Sequence, residues 1–392
     1  MNGRAAAVLL VLLFARPTFG QVVLRGGDVL DDAVISASSQ GVVTLPRLGS
    51  GAERTIPWDL IREVRGEHAD AARPFTALAA DAWRARWRLA RGDTALAEPL
   101  LAALFEKVRT EDGPTTLRIA EGLLRCRLAR ADQAGAIEPW LSALRNQAMA
   151  AGLPAESAPV LATGLRSTID AETGLVPSLP PIWINVEATA AFAGRYAPTD
   201  DAPPSVRELA RLFARSAALD SGITPPTPMD APSTEPGAPA PVGPGSAGID
   251  LVRQIVASRE ADPKKRAAAR DRLASGLAAD ADTWREAWRR AALGRSLLME
   301  QDAALRSEGL IHLLHLPARF SRSQPYLAGL AAVEAAAELK RRGDRQTDIA
   351  VRLIGELKAA EPLHPALGTV SITSPFRRPS PKPGAEAPEV AP

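Results

Sequence analysis

The chain has 392 residues, 46% of them hydrophobic, with 47 basic against 45 acidic side chains and a net charge of +2. A balance this even provides no overall field favouring nucleic acid. With one cysteine, Cys126, it forms no internal disulfide and must be held by buried apolar surface, for which its length predicts two or more packed units.

Residues 1–20 read as a signal peptide. Arg4 supplies the positive start, Ala5 to Phe14 are unbroken apolar residues, and Thr18-Phe19-Gly20 places small residues at the cleavage positions. The apolar run is shorter than the roughly 20 residues that cross a bilayer. The expectation is an exported chain that begins at Gln21 and keeps no integral membrane span.

Residues 21–66 read as a small β domain. Val22-Val23-Leu24, Val34-Ile35-Ser36, Val42-Val43-Thr44-Leu45 and Thr55-Ile56 are short β-branched runs separated by Gly26-Gly27-Asp28, Gly41 and Leu48-Gly49-Ser50-Gly51. Four or five strands are expected, ending at a segment in which Trp58, Ile61 and Val64 share one face, with Trp58 in the core. The strand order resembles a small Sm-like or SH3-like barrel. The domain is either a structural cap on the helices or a ligand-binding module.

From Phe75 the period becomes helical, and the sequence repeats itself. Arg88-Leu89-Ala90-Arg91-Gly92-Asp93-Thr94-Ala95 recurs 39 residues later as Arg127-Leu128-Ala129-Arg130-Ala131-Asp132-Gln133-Ala134. Glu98-Pro99-Leu100-Leu101-Ala102-Ala103-Leu104 recurs 40 residues later as Glu138-Pro139-Trp140-Leu141-Ser142-Ala143-Leu144. Such a period predicts stacked helical hairpins. On a wheel of about 100° per residue, residues 77–91 put Leu78, Ala79, Ala82, Trp83, Ala85, Trp87, Leu89 and Ala90 on one broad apolar face, with Asp81, Arg84, Arg88 and Arg91 opposite.

Arg86 breaks the apolar face, and Arg125 is its counterpart in the second repeat. A buried guanidinium needs a carboxylate, and Glu121 is placed to serve one of the two. These arginines form either a structural ion pair in the seam between hairpins or a groove for carboxylate or phosphate. The outward arginines, Arg84, Arg88 and Arg91 with Arg127 and Arg130, form either a solvated face or a docking face for an acidic segment of another envelope or extracellular protein.

Gln133 to Leu144 resembles the second helix of a tetratricopeptide repeat, with Ala136 and Ala143 as the small packing positions and Trp140 between them. Leu89-Ala90-Arg91-Gly92-Asp93 resembles the end of that repeat's first helix. The resemblance covers residues 75–146, and 326–362 by pattern alone. The spacing of 39–40 exceeds the family's usual repeat, the Leu-Gly pair of the first helix is missing, and Pro139 replaces a helix former. The resemblance implies a hairpin stack with a binding surface and no catalytic residues.

The helical-repeat segment extends over residues 70–222. Residues 156–167 suggest a helix. Gly174 to Trp183 is apolar but broken by Pro177, Pro180 and Pro181, hence an ordered loop, with Trp183 as its candidate docking residue. Residues 204–218 are an amphipathic helix opened by proline. Residues 223–248 are rich in Pro, Gly, Ala, Ser and Thr and read as a disordered linker. A second helical segment is expected at 249–366, including 249–258, 267–279, 326–342 and 348–360, and a disordered tail at 367–392. Trp284 and Trp288 echo Trp83 and Trp87, and both pairs are assigned to core.

No motif for nucleophilic catalysis or phosphate binding is present. His312 and His315 lie three apart with Glu308 nearby, without the pattern of a zinc site. No catalytic residue, cofactor or metal is assigned. The sequence therefore predicts a mainly α protein: a small N-terminal β domain, then hairpin repeats interrupted by a proline-rich linker. It points to an exported, non-enzymatic interaction or scaffold protein of the cell envelope. The alternative is an envelope hydrolase or carbohydrate-active enzyme on a helical-repeat scaffold.

Overall fold

A computed structural model describes residues 20–30, 32–46, 53–147, 167–184, 191, 202–222 and 241–369. The expected signal peptide, apart from Gly20, lies outside these residues, as do 223–240 of the linker, the tail from 370 onward, and the helix expected at 156–167 apart from Ser167. The fold is mainly helical, with a small N-terminal β region of two three-stranded antiparallel sheets.

Six strands form that region: β1 (Gln21–Leu24), β2 (Val29–Leu30), β3 (Ala33–Ser38), β4 (Gly41–Leu45), β5 (Arg54–Ile56) and β6 (Ile61–Arg65). The sheets run β2-β1-β6 and β3-β4-β5, so the first and last strands pair, with Val22 opposite Val64. The two-residue β2 is the strand that the sequence pattern conceals, because so short a run has no visible alternation. Gly41 is required where β4 begins: its φ is +138° and a Cβ would lie 2.0 Å from the Ile56 carbonyl oxygen. Val22, Leu24, Val34, Val42, Ile56, Trp58 and Ile61 form the core, with Val64 packed against it. Trp58 stacks on Phe75, centroids 5.3 Å apart, and its indole donates to the Ser38 carbonyl at 2.8 Å.

The helices begin with the single turn α1 (Ala69–Ala72), followed by α2 (Thr76–Ala90), α3 (Thr94–Val108), α4 (Pro114–Ala129) and α5 (Gln133–Arg145). Both α3 and α5 run through their prolines, Pro99 and Pro139. The repeat is visible atom by atom in the two hairpin turns. Asp93 caps α3 by accepting from Leu96 N, and Asp132 caps α5 by accepting from Gly135 N. The Asp93 and Asp132 amides donate to the carbonyls of Arg88 and Arg127, both at 2.9 Å. Gly92 turns the first corner at φ +77°, and its counterpart Ala131 is held in the same left-handed region at φ +59°.

Polar side chains fix the β region to these hairpins. Thr116 N donates to Gln40 Oε1 at 3.0 Å, and Thr115 Oγ1 donates to the Gln40 carbonyl at 2.7 Å. Asp59, in the 3-10 turn Trp58–Leu60, receives Arg86 Nη1 at 2.5 Å. Arg86 therefore finds a carboxylate, as a buried guanidinium must, but in the β region rather than in the next hairpin.

The second half comprises α6 (Pro204–Ser221), α7 (Ile249–Ala257), α8 (Pro263–Ser275), α9 (Trp284–Leu298), α10 (Ala303–Phe320), α11 (Pro325–Arg341) and α12 (Asp344–Ala360). Consecutive helices pack against each other from α8 to α12. One continuous apolar core runs from Ala82 to Ala366, so the segments on either side of the expected linker share an interior. The last residues of that linker, 241–248, belong to the fold: Ser205 Oγ donates to the Pro244 carbonyl at 2.8 Å, and the 3-10 turn Ser246–Gly248 leads into α7. Ion pairs reinforce the junction, with Glu208–Arg253 at 3.0 Å, Asp220–Arg295 at 2.9 Å and Arg215–Glu260 at 2.6 Å.

The proline-broken run from Gly174 to Trp183 lies inside this joint. Leu175, Val176, Leu179, Ile182 and Trp183 are all buried. Buried irregular chain must satisfy its backbone groups. The three prolines remove three donors, and side chains from four helices donate to the carbonyls of the run. Trp140 of α5 donates to Gly174 O at 3.0 Å, Trp288 of α9 to Pro177 O at 2.9 Å, Ser216 of α6 to Pro181 O at 2.5 Å, and Tyr326 of α11 to Ile182 O at 3.1 Å. The run is an internal strap rather than a surface loop.

Candidate functional site

The outward arginines divide by environment. Arg88 Nη1 donates to the Leu96 carbonyl at 2.9 Å, and Arg127 donates to the equivalent Gly135 carbonyl. These two are clasps that tie each first helix to the second, the structural meaning of their recurrence. Arg130 pairs with Glu98 at 3.0 Å and Asp132 at 2.7 Å. Arg84 makes an exposed pair with Asp81 at 2.8 Å. Arg91 is exposed and, among the described residues, makes no hydrogen bond or ion pair through its side chain. Trp183 does not join them: it is 5% exposed, edge-on to Phe213, and its amide donates to Asp220 Oδ2 at 3.1 Å. Burial in the strap removes it as an exposed docking residue.

A residue that the sequence placed in the core belongs with the arginines. Trp87 is 41% exposed. Its spacing from Arg84, Arg88 and Arg91 puts all four on one side of α2. The indole stacks on Trp83 at 6.3 Å, and the Arg25 guanidinium lies 5.0 Å over the Trp83 ring. Leu96, at the start of α3, is also exposed and is joined to this side through the Arg88 clasp. Only the inner part of the broad apolar wheel of α2 is covered: Ala79, Ala82, Ala85, Arg86 and Leu89 are buried.

On that inner side lies a cavity of about 80 Å³, between the Trp58–Leu60 turn, α2 and α4. Asp59, Arg86, Arg118, Glu121 and Arg125 line it. Glu121 Oε1 receives Thr168 N at 3.1 Å. Burial depresses the Arg118 pKa, Asp59 counteracts this, and Arg86 adds to it. Arg86 and Arg125 were legible from the repeat; Arg118 was not, because it lies off the wheel position that recurs.

Several buried ionisable groups elsewhere are structural partners. Burial pushes the Glu338 carboxyl up, but hydrogen bonds from Arg306 and Arg342 outweigh it and hold the group below the ordinary range. Glu286 is likewise held low: burial opposes, while bonds from Arg290 and the Asp282 amide prevail. His315 lies 3.4 Å from Glu286, His312 lies 3.9 Å from Glu308, and burial lowers both imidazole pKa values. No group of three metal-ligating side chains occurs among the described residues. Cys126 is buried, and desolvation pushes its thiol up to about 12. A wider groove of about 500 Å³ between α10, α11 and α12 is lined by Ala328, Gly329, Ala332 and Leu357, and its carboxylates Glu356 and Glu361 are exposed. No helix among the described residues is long and apolar enough to cross a membrane.

No family model matches the chain, and neither a curated protein nor a solved structure matches it.

Proposed function

We propose that this chain is an exported, non-enzymatic interaction protein of the cell envelope, whose outer α2 face docks an acidic segment of a partner protein. The supporting observation is Trp87, left 41% exposed in a row with Arg84, Arg88 and Arg91. Trp and Arg are the side chains that most often anchor interfaces, the one through area and the other through charge. Arg91 brings a cation with no partner among the described residues, so an acidic segment is the complementary occupant. Export rests on the charged, apolar, small-residue order of residues 1–20. The tetratricopeptide-like hairpins fit a binding role by resemblance.

The test is a photo-crosslinking side chain placed at position 87 in the native host, with position 311 as an exposed control on α10. The expected result is an adduct specific to position 87, whose crosslinked peptide is rich in Asp and Glu. Arg84→Glu with Arg91→Glu should remove it, and salt should weaken it, since exposed charges are screened over about 8–10 Å at physiological ionic strength. These changes spare the Arg88 clasp and the core. Adducts identical at positions 87 and 311, or unchanged in the double variant, would refute the docking face.

A further inference from the structure

The cavity behind α2 holds two unmet demands close together. The first is a positive charge. Arg86, Arg118 and Arg125 line the space together with Asp59 and Glu121. Arg118 is largely buried, yet among the described residues its side chain makes no hydrogen bond or ion pair; Asp59 and Glu121 act on it only through their fields. A guanidinium keeps its proton under all ordinary conditions, so burial leaves a charge to be answered rather than a neutral group. The second demand is for a donor. Asp59 Oδ2 is taken by Arg86, but Asp59 Oδ1 is buried with no hydrogen-bond partner. A buried carboxylate oxygen without a donor is costly.

A neutral molecule would leave the charge unanswered, and an anion without a proton would place oxygen against Asp59 Oδ1. Both demands are met by an anion with an acceptor edge for Arg118 and a hydroxyl for Asp59. The volume, about 80 Å³, suits an ion of a few heavy atoms, since a water needs roughly 10–15 Å³ in the same measure. The walls that complete the space, including Leu101 and Ile119, are apolar and leave an anion's recognition to the charged groups. We propose that this cavity is a binding site for a small hydroxyl-bearing oxyanion, the chemistry shared by inorganic phosphate and short hydroxycarboxylates. Arg118 is the recognising cation and Asp59 Oδ1 the hydroxyl acceptor. The site lies on the opposite side of α2 from the docking face and is independent of it.

The experiment uses the full mature chain at pH 7 and constant ionic strength in chloride. Thermal unfolding and titration calorimetry are run against phosphate, sulfate, lactate and acetate. Phosphate retains a proton at this pH and sulfate does not; lactate carries a hydroxyl and acetate does not. The expected result is a saturable rise in Tm with phosphate or lactate, and affinity at least tenfold weaker for the hydroxyl-free member of that pair. Whichever pair responds identifies the source. Arg118→Met should weaken binding at least tenfold while leaving Tm in chloride unchanged or higher, because replacing a buried unpaired charge with an apolar side chain does not destabilise. The proposal is overturned by no saturable response to either hydroxyl-bearing anion, by sulfate or acetate binding as well as its partner, or by unaltered binding in Arg118→Met. Failure of Arg118→Met to fold would also overturn it, since the charge would then already be answered inside the protein.

Discussion

Replacing Trp288 by Phe tests the internal strap. Trp288 is fully buried on α9, its ring lies 4.8 Å from Trp284, and its indole donates to the Pro177 carbonyl at 2.9 Å. Phenylalanine keeps an aromatic ring in the space but has no donor. The orphaned carbonyl costs about 1–3 kcal/mol. The smaller ring leaves a void worth about 1 kcal/mol. The total is about 2–4 kcal/mol, and at roughly 2–4 °C per kcal/mol for a domain of 150–250 residues the melting point should fall by about 4–16 °C. Where the loss is felt is as informative as its size. The strap also accepts from Trp140 on α5 and Tyr326 on α11, and the core is continuous across it. Calorimetry should therefore show one transition moving as a whole, and hydrogen exchange should show lowered protection in α5 as well as in α9 to α11. A change below 1 °C would refute the structural weight given to this bond. A split into two transitions, with only the part after residue 249 shifted, would refute the shared interior.

Two further outcomes follow from the same contacts. Ala131→Gly should raise stability by about 0.5–1 kcal/mol in a urea melt, because it relieves a left-handed alanine at the position where the first repeat has glycine; a loss of stability would remove strain from the account of that corner. Protease should cut first within 223–240, on composition, and the nicked chain should elute from gel filtration as one species, held by Glu208–Arg253, Asp220–Arg295 and the common core; two separating fragments would contradict the weld.

How much of this was legible follows from where each contact lies along the chain. The hairpins were readable because their determinants are local: Asp93 caps four residues after Leu89 ends its turn, and Arg88 reaches only to Leu96. That Arg86 needs a carboxylate was also readable, from chemistry alone. Its partner was not, since Asp59 lies 27 residues earlier in a different kind of structure. The strap shows the opposite failure. Its prolines correctly excluded a helix, yet period-based reading has no pattern for an irregular buried segment and leaves it on the surface. Its burial depends on donors 34 to 144 residues away, from Trp140 to Tyr326. Composition misled at the linker for a similar reason. Pro244 and Gly245 look like spacer, but Ser205 takes hold of that turn from α6.

The exposed Trp87 shows how the fold leaves an aromatic side chain outside the core on an ordinary amphipathic helix. The wheel of α2 has more apolar residues than one packed face can cover. The β region claims the inner side through Arg86 and Asp59, and α3 claims Leu89 through the hairpin. Trp87 is left at the edge, steadied by stacking on Trp83 and flanked by Arg84 and Arg91. A tryptophan that merely packed would gain by turning inward, because its burial is worth far more than an exposed stack. It cannot do so while the β region occupies that side. The β region packed on the first hairpin thus has two effects at once: it forms one wall of the arginine-lined cavity on one side of α2 and leaves the Trp87 ring facing solvent on the other.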